Sequence, residues 1–213
     1  MATERGELVI GIGFRAGEAH TWQVALKEDF LRRGYGVEVT KLQNADYRPD
    51  LSASVAMLSD KIRHPENTVL VAHSASVSVG LEFAERLPDG IKLRGLVAVS
   101  GFTKEEKDFH FLSYYYGNYL LGGFLKENRD WGKIRESFNG NITVIHSNDD
   151  IWVNPEQSRW LAKNLNAVTR WKDNIGHADR LEGVRAIPEV HEAVENYFSL
   201  RKERPAKMTV LTK

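Results

Sequence analysis

The sequence predicts a three-layer α/β sandwich, with about six mostly parallel strands and helices on both faces. Three observations carry that expectation. Short β-rich runs alternate with segments of helical periodicity along nearly the whole chain. Two of the runs, "TVLVAH" and "LRGLVAVS", are apolar almost throughout, as strands covered on both faces are. The stretches between successive strands are long enough for the crossovers that parallel neighbours need.

The elements follow in order. "ELVIGI" (7–12) is a strand that runs into a glycine loop. "TWQVALKEDFLRRG" (21–34) carries Trp22, Leu26, Phe30 and Leu31 near helical spacing and stops at Gly34. "GVEVTKL" (36–42) alternates as a strand, and "PDLSASVAMLSDKIR" (49–63) is a helix with Pro49 near its first turn. "TVLVAH" (68–73) is a buried strand, and "SVSVGLEFAERL" (76–87) is the helix after it. "LRGLVAVS" (93–100), "NITVIHS" (141–147) and "AVTRWK" (167–172) are three further buried strands. Helices fit at 155–165 and 188–201. One domain is expected over residues 1–201, with a loosely held polar tail at 202–213.

A segment between the fourth and fifth strands, 101–140, breaks this rhythm. It contains "KDFHFLSYYYGNYLLGGFLKENRDW" and four of the seven tyrosines: Tyr114, Tyr115, Tyr116 and Tyr119. An insert this aromatic at the strand ends is read as a lid or pocket wall. The alternatives are helices that complete the core, or a dimer contact.

Composition narrows the function. The 29 basic and 29 acidic residues balance, so no nucleic-acid partner is expected. No apolar run is long enough to span a membrane, and the N-terminus lacks the pattern of a secretion signal, so a cytoplasmic location is expected. Cysteine is absent, which removes thiolate catalysis and disulfides.

In an open α/β sheet, ligands bind beyond the carboxyl ends of the strands. Ser74 follows the third strand there, Asp149 and Asp150 follow the fifth, and His177 follows the sixth. Ser, Asp, His is the chain order of α/β-hydrolases. The surroundings of Ser74 read Ala72-His73-Ser74-Ala75-Ser76. Small residues two before and two after allow the sharp strand-to-helix turn that exposes a nucleophilic serine. Ser76 and Ser78 lie too deep in the helix for that role. As a helix cap alone, Ser74 would need no partners.

Asp149 and Asp150 both qualify as the acid, with Asp150 preferred and Asp149 left to cap the turn. His177 follows a glycine in a loop, whereas His73 is expected to point away from the site. Backbone amides of Ala75 and of Phe14 or Arg15 would form the oxyanion hole. His20, Tyr115, Tyr119 and Trp152 are candidate substrate contacts. Such chemistry needs no metal or organic cofactor, and its partner is a small-molecule ester.

Two other readings compete. A catalytically silent protein could keep the fold as a binding or scaffold module. Gly11, Gly13 and Gly17 give G-x-G-x-x-x-G, one residue off the dinucleotide-binding pattern, and no acid closes the second strand.

Taken together, the glycine loop, "VAHSAS", "VSGFTKEEKD", "HSNDDIWV" and "IGHADR" resemble the small α/β-hydrolases of the retinoblastoma-binding-protein-9 and YdeN-like serine hydrolase group, over roughly residues 7–200. The resemblance implies Ser74 as nucleophile, Asp150 as acid and His177 as base. The chain departs from many members in having Ala72 and Ser76 where glycine is common, and in its longer, more aromatic insert.

Overall fold

The computed structural model describes residues 5–14, 21–44, 48–104, 121–178 and 183–200. Its strands are β1 (Glu7–Gly11), β2 (Gly36–Thr40), β3 (Thr68–His73), β4 (Gly95–Val99), β5 (Ile142–Ser147) and β6 (Val168–Lys172). They form one sheet in the order β2-β1-β3-β4-β5-β6, and every neighbouring pair is parallel. The described helices are α1 (Thr21–Arg32), α2 (Leu51–Lys61), α3 (Ala75–Arg86), α4 (Trp131–Ser137), α5 (Pro155–Leu165) and α6 (Pro188–Ser199). This is an α/β-hydrolase-like sandwich. The strand order reverses beside β1, so a crevice opens at the carboxyl ends of β1 and β3.

The alternating direction of strand side chains divides the core in two. Leu8, Ile10, Val69, Val71, Val97 and Val99 face α1 and α6, meeting Trp22, Leu26, Phe30 and Val194. Val9, Leu70, Ala72, Leu96, Ala98 and Val144 face the other four helices, meeting Val55, Val77, Ile134 and Leu161. Local chemistry sets the helix ends. The Asp50 carboxylate accepts from the Ala53 amide at 2.8 Å and starts α2, which leaves Pro49 one residue before the cap rather than in the first turn. Asn154 caps α5 ahead of Pro155, and Asn166 ends it in a left-handed conformation at φ 49°.

Two expectations change. β6 is not a buried strand: it is the outer edge of the sheet, and Val168 is 52% exposed. Its Arg170 and Lys172 put charge on an edge that would otherwise invite pairing. In the insert, the C-terminal part joins the core, with Phe124, Ile134 and Phe138 fully buried. Arg129 reaches Glu82 at 2.9 Å and Glu85 at 3.1 Å, tying this part to α3. Residues 105–120, with Tyr115 and Tyr119, lie outside the described residues, as do residues 201–213.

Gly95 in β4 marks the tightest contact of the sheet with α6. A methyl group there would sit 2.4 Å from the Tyr197 ring, whose hydroxyl is held by Thr143 at 2.6 Å. Gly95→Ala is expected to destabilise the fold by about 1–3 kcal/mol through overpacking. Urea unfolding should show a lower midpoint; an unchanged midpoint would refute the contact.

Candidate active site

Ser74 links β3 to α3 with backbone angles φ 56° and ψ −127°. These are the angles of the first central residue of a type II′ turn, a region that side chains avoid and glycine accepts. Neighbouring backbone enforces the conformation. The Ser74 amide donates to the Val99 carbonyl at 2.9 Å, so the turn begins where β3 is still paired with β4. The loop after β1 passes directly over the serine, and a Cβ on Gly13 would meet Ser74 Cβ at 2.9 Å.

The other serines of the run have separate work. Ser76 Oγ donates to the Ile12 carbonyl, fastening α3 to the loop after β1. Ser78 Oγ donates to the Phe102 carbonyl at 2.6 Å, fastening the same helix to the loop after β4. Gly11 and Gly13 are therefore occupied in admitting Ser76 and Ser74. The strand order also differs from the 3-2-1-4-5-6 order of dinucleotide-binding folds, so that reading falls. Glu38, inside β2, pairs instead with Lys61 at 3.1 Å.

Three residues from distant parts of the chain meet at the carboxyl edge. Ser74 Oγ lies 3.0 Å from His177 Nε2, and His177 Nδ1 lies 2.8 Å from Asp150 Oδ2. A carboxylate can only accept, so Nδ1 carries the imidazole proton and Nε2 is left to accept from the serine. Asp150 Oδ1 accepts from the amides of Trp152 and Val153, each at 2.9 Å. Burial works to raise this carboxyl. The His177 charge, its hydrogen bond and the Val153 amide outweigh that effect and hold it below its ordinary value.

Asp149 takes a different place. It accepts from the Ser147 hydroxyl and from the Gly176 amide at 3.2 Å, so it braces the loop before His177. The hydrogen bond from Ser147 leads in lowering its carboxyl below the ordinary value. Behind Asp150, His146 is buried and donates from Nε2 to the Val153 carbonyl at 3.1 Å while Ser158 donates to its Nδ1 at 2.8 Å. Burial depresses its pKa despite Asp150 nearby, which keeps the ring neutral.

His73 overturns an expectation. Its ring does not turn away: Nε2 lies 2.8 Å from the His177 carbonyl oxygen. Only its position directly before Ser74 could have signalled this. Trp22, read from sequence as a core residue of α1, also donates from Nε1 to the Ala178 carbonyl at 2.8 Å. No sequence signal links residues so far apart. Of the remaining candidates, Ala75 directly follows Ser74 as the first residue of α3, Phe14 follows the Gly13 that packs against Ser74, and Trp152 stands 44% exposed two residues after Asp150. Arg15 and His20 lie outside the described residues. Among the described residues, no group of three or more acidic or histidine side chains gathers to hold a metal, and no helix is long and apolar enough to cross a membrane.

Comparison with known proteins agrees with this architecture. The family model for serine hydrolases matches residues 8–196. The chain is 32% identical over 189 residues to YdeN of Bacillus subtilis (strain 168), covering 88% of this chain and 93% of YdeN. The crystal structure of the ydeN gene product superposes with a TM-score of 0.80 at 31% identity, covering 91% of this chain and 99% of that one. A more distant structure, from Xanthomonas campestris pv. campestris and assigned to the alpha/beta superfamily, shares the fold with a TM-score of 0.57 at 18% identity, over 92% of this chain and 96% of its own.

The strain at Ser74 makes a prediction independent of turnover. Ser74→Gly should stabilise the folded protein by up to about 2 kcal/mol, because the strain that glycine relieves exceeds the extra chain entropy that it loses on folding. Thermal and urea unfolding measure it. A variant no more stable than the parent would mean that the turn is not strained.

Proposed function

Because the chain belongs to the serine hydrolase family, we propose that it cleaves a carboxylic ester through Ser74, His177 and Asp150. The observation that carries the proposal is the continuous path from the serine hydroxyl through the imidazole to a buried carboxylate, with contacts of 3.0 and 2.8 Å. Ser74 Oγ attacks the acyl carbon as its proton passes to His177 Nε2. Asp150 holds the ring in the tautomer required and stabilises the imidazolium. The carbonyl oxygen gains negative charge and is met by the Ala75 amide at the start of α3, where the helix dipole favours an anion. The second donor is the Phe14 or Arg15 amide, and the contact of Gly13 with Ser74 supports a loop close enough to supply it.

His177 then returns the proton to the leaving alcohol. An acyl group remains on Ser74, and water activated by the same imidazole releases it. An ester is favoured over an amide because an alkoxide leaves more readily, so less is asked of His177 as acid. Trp152, exposed beside Asp150, is proposed to line the substrate's path. Tyr115, Tyr119 and His20 complete the proposed substrate wall.

A fluorophosphonate probe tests the central assignment. The parent protein should label, and Ser74→Ala should not. On a generic aryl ester, Asp150→Asn should lower kcat by about 10⁴-fold, and Asp149→Asn by far less. A larger loss from Asp149→Asn would reverse the two roles. Absence of labelling on folded parent protein would favour the silent scaffold. Trp152→Ala should raise KM and leave kcat near the parent value; unchanged KM would remove Trp152 from the substrate path.

A further inference from the structure

The segment that carries His177 has an unusual backbone. Asn174, Gly176 and Ala178 all have left-handed angles, with φ of 62°, 50° and 55°. An alanine gains nothing from that conformation, so contacts from outside the segment must impose it. One is the Asp149 carboxylate, which accepts from the Gly176 amide. The other two come from buried ring donors on the far side. His73 Nε2 faces the His177 carbonyl, and Trp22 Nε1 faces the Ala178 carbonyl, each at 2.8 Å. A carbonyl only accepts, so His73 must carry its proton on Nε2. Each of the two donors is 1% exposed. Their rings meet edge to face at 5.8 Å, which fixes each against the other.

Chain position gives His73 its significance. It is the last residue of β3, adjacent to Ser74. The backbone that aims the hydroxyl therefore also aims the donor that seats the histidine facing it. The imidazole of His73 lies 5.0 Å from that of His177, centroid to centroid. We propose that His73, with Trp22 as second anchor, is a positioning residue for His177: it fixes the backbone of the base so that Nε2 lies within reach of Ser74. This rests on the reading of Ser74, His177 and Asp150 as the catalytic set. A displacement of the base by about 1 Å is enough to lower the rate on the order of 10²-fold.

Three variants separate this role from simple packing. His73→Phe keeps a ring against Trp22 and removes the donor. His73→Gln restores an N–H near the same place. Trp22→Phe removes the second donor, and serves in place of His73→Phe should that variant fail to fold. On an aryl ester, His73→Phe should lower kcat about 10- to 100-fold with KM changed less than about twofold, and the rate of fluorophosphonate labelling should fall in parallel. His73→Gln should recover to within about fivefold of the parent. Proton NMR gives a readout without turnover: the His177 Nδ1 proton, hydrogen-bonded to Asp150, should give a far-downfield resonance that is lost or broadened in His73→Phe. Folded His73→Phe with parental kcat and an intact resonance overturns the proposal, as does His73→Gln falling as far as His73→Phe. If the parent neither labels nor turns over, but the resonance responds to His73→Phe, the hydrolase mechanism fails and the positioning role stands.

Discussion

The strained backbone at Ser74 is the constraint on which the site depends. A side chain at φ 56° is tolerated only where the surroundings leave no alternative. Here the alternatives are closed on each side. β3 is paired with β1 and β4 up to its last residues, and α3 starts at the very next position. The strand and helix can approach so closely because the residues between them are small. A Cβ on Gly11 would strike Ser76, and one on Gly101 would strike Val77 at 2.7 Å. The all-parallel, fully buried centre of the sheet supplies the rigidity. In return the serine stands at the reversal of strand order, the one place where the crossovers leave the strand ends open.

The charge arrangement follows from that rigidity. Asp150 is 4% exposed yet remains a carboxylate, which burial alone would not allow. Two amides of its own loop and the His177 ring occupy its oxygens. His146 adds a wall behind it without adding charge, since its own burial keeps it neutral. The negative charge therefore has one titratable partner in front of it, and that partner faces Ser74.

Much of this was legible in the sequence, and the reasons are physical. β3 and α5 have the predicted bounds because an apolar run and a Pro-initiated helix are local signals. Ser74, Asp150 and His177 were singled out by pattern, since each follows a strand at the same sheet edge, and the fold brings the three into contact. What pattern could not supply was direction. His73 keeps the alternation of β3 and meets Trp22 on the side of Val69 and Val71, and only the fold shows that the backbone of residues 177 and 178 passes on that same side. Asp149 and Asp150 are neighbours of the same type, and only the loop's path separates brace from partner. β6 carries β-branched and aromatic residues like a central strand, and its exposure is a property of sheet order rather than of local sequence. Trp22 was visible as a core residue, but its hydrogen bond to residue 178 spans the chain.

Ser76 and Ser78 have a consequence for how such a fold can diversify. Each hydroxyl fastens α3, the helix that starts directly after Ser74, to a neighbouring loop, at Ile12 on one side and at Phe102 on the other. Two of the loops at the carboxyl edge of the sheet are thus pinned to the same rod as the serine. Grafting a loop from a relative would have to reproduce its carbonyl in register with that rod, or the Ser74 hydroxyl would shift with it. New specificities are therefore more accessible through side chains at the rim than through exchange of either pinned loop.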